Sequence, residues 1–413
     1  YLSGGRGYLF GGVKKLMPGC CMVWKDGRLR ITRYFRPEFI PDERKSLEEW
    51  AAQIHDTAAA IMRQERRNGE KAGVFLSSGV DSSYILALSD VQESCSCGYA
   101  AQDFDEAALA KETARLLRRR NHKCLITPQA YFGMTPYVMY HMEQPLADAS
   151  AVAFAIACRE AAGRRKVWYS GEGADEFFAG YNIYSRAHAY AEKPQARYIG
   201  NTDIMREAEK RELLRRYDPD VLPGAVVESV CRATRCPDAL SRMQSVDIQI
   251  WLEGDIYLNI DKMSRAAGLE IRMPLSDLRL FSVASRIPAR YRAGGAVNKL
   301  AFRAAAAKVL PPEIANRKKL GFAVPIRQWL LQEEYNADVR RLFASAAAQR
   351  FFHREKLEAL FCGFCSGRQQ DWRKIWTIYT FLVWYELYFC GAHAPDAAFP
   401  TGGTASGDGG YRC

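Results

Sequence analysis

The stretch Phe75-Leu76-Ser77-Ser78-Gly79-Val80-Asp81-Ser82-Ser83 decides how this chain is read. The apolar residues 72–76 have the length of a short buried strand, and Tyr84, Ile85 and Leu88 continue a helix that starts near Ser82. A loop at a strand-to-helix junction offers unbonded backbone N–H groups and the positive end of a helix dipole. Small side chains let phosphate oxygens come close to the backbone, and hydroxyls add donors. No Gly-Lys-Ser/Thr is present, so this is not a Walker loop. An acid inside an anion cradle repels phosphate unless a divalent cation lies between them, which makes Asp81 a candidate Mg2+ ligand. The competing reading is a plain strand-turn-helix link capped by Ser or Asp.

The segments around this loop alternate. Upstream, Ser46 and Glu49 form a capping box, and Leu47, Trp50, Ile54, Ala58, Ile61 and Met62 fall on one helical face. Downstream, strands are expected at 95–99, 123–126 and 166–169, with helices at 105–117 and 151–161 between them. Strands alternating with helices predict an α/β fold, a parallel sheet covered on both sides. From about residue 205 the chain reads mostly helical, and the aromatic run 370–390 reads as a buried helix. Residues 1–40 read as turns and short strands, with a hairpin turning at Asp26-Gly27. Residues 394–413 are rich in Gly, Ala, Pro and Thr and read as a disordered tail.

A second polar loop follows an apolar strand at Ser170-Gly171-Glu172-Gly173-Ala174-Asp175-Glu176. In a parallel sheet both loops lie at the carboxyl edge, where ligands bind. Three acids in five residues call for a metal, a cationic substrate or a Lys/Arg nearby; otherwise they make a solvated turn. Two cationic groups are candidates for the charge that develops when a phosphoanhydride splits: Lys299 with Arg303, and Arg317-Lys318-Lys319-Leu320-Gly321-Phe322. The segment Glu270-Ile271-Arg272-Met273-Pro274 with Asp277 offers Arg272 for bidentate capture of a carboxylate. Each of these alone is more often a salt-bridge residue.

The totals bound the rest. At 413 residues the chain exceeds one typical domain. The formal charge of +11 is spread widely, in short runs such as Arg118-Arg119-Arg120, and reads as a solvated basic surface rather than a nucleic-acid groove. No apolar run reaches membrane-spanning length. The 12 cysteines are scattered, which fits reduced thiols in a cytoplasmic protein. Cys362 and Cys365 form the one C-x2-C pair, with no further ligands at zinc-site spacing, and read as buried thiols in a helix.

Together these motifs resemble the glutamine-hydrolysing asparagine synthetases. The match covers roughly residues 10–390: the pyrophosphate loop 77–83, the acidic loop 170–176 followed by Tyr181, Glu143-Gln144-Pro145-Leu146-Ala147-Asp148, Glu270/Arg272/Pro274/Asp277, Lys299/Arg303, and the basic motif 317–325. The resemblance implies an ATP-pyrophosphatase (PP-loop) domain over 41–393 with a helical C-terminal part. It implies ATP and Mg2+ as cofactors, and aspartate with ammonia, or glutamine through a glutaminase domain, as partners. Leu76, Cys97, Ser170 and Gly171 are implied to hold adenosine, and Ser77, Ser78, Gly79, Asp81 and Ser82 the pyrophosphate. Asp81 and Asp175 are implied as metal ligands, Glu172 and Lys299 as catalytic residues, and Arg272 and Asp277 as neighbours of the substrate, or else a structural ion pair. Ser78 departs from the more usual Gly and fits if its φ is negative. Residues 1–40 resemble only the tail of the family's N-terminal glutaminase domain, so upstream residues are expected to be missing and glutamine hydrolysis is not expected. Nucleic acid and membrane are not expected as partners, and a homodimer is allowed. The rivals are a related enzyme that adenylates another carboxylate, a tRNA-modifying enzyme with the same loop, and a non-catalytic remnant.

Overall fold

The computed structural model describes residues 12–66, 69–99, 106–187, 198, 204–294, 297–318 and 324–391. It opens with a hairpin of β1 (Cys20–Lys25) and β2 (Arg28–Arg33), paired antiparallel. Asp26 and Gly27 turn it, both at positive φ (50° and 72°), as a two-residue turn with the right twist requires. Helix α1 (Leu47–Glu65) follows, capped by the Ser46/Glu49 box the sequence predicts.

The centre is a five-stranded sheet. Its strands are β3 (Ala72–Phe75), β4 (Glu93–Tyr99), β5 (Arg120–Ile126), β6 (Val167–Tyr169) and β7 (Glu270–Arg272), in spatial order β5-β4-β3-β6-β7 and parallel throughout. The chain leaves β3 in one direction for β4 and β5, then returns to lay β6 on the other side of β3. This reversal makes a crevice at the carboxyl ends of β3 and β6, the place where open parallel sheets bind ligands. Both polar loops of the sequence follow these two strands.

Each face of the sheet is covered. One core holds Trp50, Ile54 and Ile61 of α1 with Val74, Tyr84, Tyr169 and Phe302. The other holds Trp168 with Met139, Ile156, Trp376 and Tyr379, so the C-terminal helix Trp372–Phe389 packs on that side. The strand alternation decides which residue goes where: Tyr169 enters the first core and Trp168 the second. A Cβ on Gly73 would stand 2.4 Å from the Trp168 ring, so glycine is what lets β3 and β6 pair under that indole.

Several elements differ from the sequence reading. Helix α2 (Val80–Leu88) starts two residues earlier than expected, bringing Asp81 into its first turn. A helix at Pro128–Met142 was not expected; Thr127 caps it and Pro128 opens it, but Gly133 and Pro136 obscure its period. The edge strand β7 lies inside the region read as helical, since three residues are too few to show a period of two. Residues 12–40 include no strand or helix beyond the hairpin; the tail expected over 394–413 lies outside the described residues. Cys362 and Cys365 sit on helix Arg354–Cys365 as expected, but Cys362 is exposed, a correction to its reading as a buried thiol. Among the described residues no helix is long and apolar enough to cross a membrane.

Candidate active site

The crevice is a cleft of about 540 Å³ lined by both polar loops. A smaller cavity, about 360 Å³, opens at the amino ends of β3, β4 and β5, the sheet edge where parallel α/β proteins do not place their ligands.

In the first loop, the Ser77 N–H donates to Ser82 Oγ at 3.0 Å, and the two hydroxyls lie 3.0 Å apart. The Gly79 N–H donates to Ser77 Oγ at 3.1 Å, and Ser83 Oγ donates to the Gly79 carbonyl at 2.7 Å. Gly79 is the N-cap of α2 and supplies no side-chain cap, so the first turn of the helix lies at the cleft without a capping side chain over it. Ser78 is buried and keeps a negative φ, so its departure from glycine costs no backbone strain.

The second loop closes on the first. A Cβ on Gly171 would lie 2.8 Å from the Ser82 nitrogen and 3.1 Å from Asp81, so the loops touch where only glycine fits. Gly173 has φ +91°, and Ser276 Oγ donates to the Glu172 carbonyl at 2.8 Å, tying the loop to the segment after β7. The short helix Ala174–Phe178 then carries Asp175 and Glu176 inward. Glu176 is buried and accepts from Tyr181, whose phenol burial pushes well above its ordinary pKa.

Lys299 joins the loops. Its Nζ lies 2.6 Å from Asp81 Oδ2 and 2.8 Å from Asp175 Oδ1, with 2 % of the residue exposed. Its φ of +58° is the left-handed region, uncommon for a residue with a Cβ and seen where a surrounding structure forces a position. A Cβ on Gly180 would stand 1.8 Å from Asp175 Oδ1 and 2.1 Å from Lys299 Cε, so this glycine makes room for the pair. Two carboxylates thus converge on one cationic atom. Mg2+ is usually held by one or two carboxylates plus substrate phosphates, so Asp81 and Asp175 fit that ion once Lys299 yields. Among the described residues no group of three or more His, Cys, Asp or Glu forms an all-protein metal cage.

Leu76, Cys97, Ser170, Gly171 and Glu172 all line the same cleft. Arg303 lines it too, but its guanidinium is used to hold the 315–317 turn: it donates to the Asn298, Ala315 and Arg317 carbonyls at 3.0, 2.7 and 2.9 Å. Burial lowers its pKa against the attraction of Asp81 and Asp175. Arg317 also lines the cleft and donates to the Ser78 carbonyl at 3.2 Å and Thr113 Oγ1 at 3.0 Å, bracing the first loop. Lys319 to Phe322 lie outside the described residues.

Arg272 and Asp277 are not among the cleft residues. Arg272 is buried with its fork on Glu70 at 2.7 and 3.0 Å, its Nε on Glu270 at 2.7 Å and a further bond to the Glu65 carbonyl. Asp277 caps helix Leu278–Ala284 through the Arg279 N–H and pairs with the Arg279 guanidinium at 2.7 Å, which lowers its pKa. Both charges are engaged in ion pairs outside the cleft lining, as in the structural alternative to their expected place beside the substrate. The sequence reading had missed Trp251, Ile256, Asn259 and Ile260, which line the cleft from a continuous helical run over 247–266. Nothing in their identity signals a site; only the packing brings them there.

A parallel-sheet cleft at a strand-order reversal, with a Ser-rich loop and a buried lysine between two carboxylates, defines an ATP-pyrophosphatase-type domain. The asparagine synthase family model matches residues 54–386. The chain is 33% identical to glutamine-hydrolysing asparagine synthetase 1 of Bacillus subtilis, over 93% of this chain and 67% of that protein. It is 29% identical to the "Putative asparagine synthetase" of Mycobacterium bovis, over 94% of this chain and 66% of that protein. The chain belongs to the asparagine synthase family and is a carbon–nitrogen ligase of that family. It spans about two thirds of the length of these relatives.

Proposed function

We propose that the chain converts aspartate to asparagine at the expense of ATP. The side-chain carboxylate of aspartate attacks the α-phosphorus of ATP, giving a β-aspartyl adenylate and pyrophosphate. Ammonia then attacks the acyl carbon, the carbon–oxygen bond to AMP breaks, and the new amide gives up one proton. Leu76, Cys97, Ser170 and Gly171 hold the adenosine. Ser77, Ser78, Gly79 and Ser82 grip the pyrophosphate with N–H and hydroxyl donors.

The observation that carries the reading is Lys299, fixed by a strained backbone between Asp81 and Asp175 at the mouth of the pyrophosphate loop. A buried cation at that point offsets the charge that gathers on the leaving pyrophosphate. Mg2+, when bound at Asp81 and Asp175, supplies further charge neutralisation for the phosphates. Asp81 and Asp175 would hold that ion, and Lys299 beside them would then meet the charge on the phosphates. Glu172 positions the incoming amine or takes its proton. Ammonia comes from free ammonium or from a glutaminase domain such as the relatives' names imply, of which residues 1–40 would be the tail. The enzyme works in the cytoplasm.

The test is pyrophosphate release measured over a panel of amino-acid carboxylates, with Asp81→Ala as control. The proposal expects release with aspartate and its loss in the control. Release at full rate without aspartate, or with another carboxylate only, refutes aspartate as the substrate.

A further inference from the structure

Strands β4 and β5 run side by side in parallel, and their register sets Cys97 directly opposite Cys124. Residues so paired send their side chains to the same face of the sheet. Cys97 packs accordingly against the core that holds Cys95, Cys124, Ile126 and Trp168. The other cysteine of β4 has no such neighbour: Cys95 stands opposite His122 on β5 and Phe75 on β3.

The pair sits at the edge of the cleft. Cys97 is half-buried and lines the cleft, while Cys124 is buried and does not. The two thiols share a hydrogen bond. That bond, and then burial, push the Cys97 thiol well above its ordinary range, and the same bond lowers that of Cys124. Cys97 is thus the S–H donor, and Cys124 is the sulfur on which negative charge is favoured. Burial pushes the Cys95 thiol up to about 12 and the Cys158 thiol higher still, which leaves both as inert core thiols.

The backbone already suits a bridge. Neighbouring strands lie about 4.8 Å apart, inside the window of roughly 4.4–6.8 Å between the Cα atoms of a disulfide. Closing a bond between these two sulfurs therefore needs no movement of either strand.

We propose that Cys97 and Cys124 are a modification site at the wall of the cleft, oxidised to a cross-strand disulfide by a low-molecular-weight disulfide of the glutathione class. The proton of Cys97 passes along the hydrogen bond to Cys124, and the Cys97 thiolate attacks one sulfur of the reagent. The reagent's S–S bond breaks, and one small thiolate leaves with the electron pair. Cys124 then loses its proton and attacks Cys97 Sγ, and the second small thiolate leaves. Two protein thiols and one small disulfide become one protein disulfide and two small thiols, with two electrons and two protons passed to the reagent. In a reducing compartment such a bond is transient and reports the thiol balance. One consequence rests on the ligase reading above: adenosine lying against Cys97 shields the pair, so oxidation belongs to the nucleotide-free protein.

The experiment incubates wild type, Cys97→Ser and Cys124→Ser with glutathione disulfide under native conditions, with and without ATP. Samples are quenched in acid and analysed by intact mass and peptide mapping. Wild type is expected to lose two hydrogens and to give a cross-linked peptide pair containing Cys97 and Cys124, which dithiothreitol reverses. Cys124→Ser should stop with one glutathione on Cys97, and Cys97→Ser should show neither product at these positions. ATP should slow the wild-type bridge tenfold or more. Equal rates with and without ATP leave the site standing and count against the placement of adenosine. The wild-type map decides the question even where a variant does not fold. Bridging of Cys97 to Cys95 or Cys158 overturns the proposal. So does recovery of Cys97 and Cys124 as free thiols while the exposed Cys362 and Cys390 have reacted.

Discussion

Replacing Lys299 by methionine separates its two roles. The methionine keeps most of the volume and removes the charge, leaving Asp81 and Asp175 facing one another where a cation had stood 2.6 and 2.8 Å away. Lys299 is 3 % exposed at its side chain and the acids 18 and 14 %, so solvent does little to screen the loss. Breaking a buried pair of this kind costs about 3–5 kcal/mol, because a charge is left uncompensated. Urea denaturation in EDTA should therefore show a fall in that range. Added Mg2+ should restore part of it in Lys299→Met more than in wild type, since Lys299 no longer competes with the ion for the two carboxylates. Pyrophosphate release should fall by about 10²–10³, the usual cost of removing one donor that meets developing charge. Lys299→Gly is a useful partner: it loses the same cation but relieves the φ of +58°, which should return roughly 1 kcal/mol. Release within threefold of wild type in Lys299→Met would refute the catalytic role. Undiminished stability would refute the buried ion-pair account.

Other substitutions test separate parts of the structure. Gly180→Ala places a methyl 1.8 Å from Asp175 Oδ1 and 2.1 Å from Lys299 Cε, and should abolish pyrophosphate release while the far-UV circular dichroism stays that of wild type. Arg272→Met should destabilise by about 3 kcal/mol in urea, since Glu70 and Glu270 lose their partner, yet leave the KM for aspartate within twofold; a tenfold rise would restore Arg272 to the substrate. Burial raises Asp247 to about 7 against the bonds from Tyr184 and Tyr198. The folded state then binds a proton that the unfolded state has lost, so the contribution of Asp247 is full below about pH 4 and is lost as pH rises through about 7. Asp247→Asn should flatten that slope in urea melts at pH 5 and pH 8, and an unchanged slope would assign it to other groups.

The fold was legible where the chain alternates strongly. Residues 72–76 and 166–169 read as strands because their apolar runs are bounded by Ser- and Gly-rich loops, and α1 read as a helix because its cap and its apolar face agree. The helix Pro128–Met142 was hidden by Gly133 and Pro136, and β7 by its length of three residues. The site was legible in part for the same reason. Ser77 to Ser82 and Ser170 to Asp175 are contiguous loops, so their chemistry shows in one reading frame. Lys299 was found as a residue type, but its strained φ and its two carboxylate partners belong to the tertiary structure. Arg272 shows the opposite case. A guanidinium in a motif looks free in sequence, and its partners Glu65 and Glu70 sit two hundred residues away in the chain. Trp251, Ile256, Asn259 and Ile260 carry no motif that marks them; they become cleft residues only once the helix run over 247–266 is packed.

The central claim is that ATP is split between its α-phosphorus and the pyrophosphate by a carboxylate, one oxygen of which ends up on AMP. The direct measurement is oxygen tracing: the chain is incubated with ATP, Mg2+, ammonium and aspartate labelled with 18O in the side-chain carboxylate, and the nucleotide products are analysed by mass. The account predicts one 18O in AMP, unlabelled pyrophosphate, and label retained in the asparagine amide oxygen. ADP with 18O in inorganic phosphate would contradict it, as would AMP formed at the same rate without label.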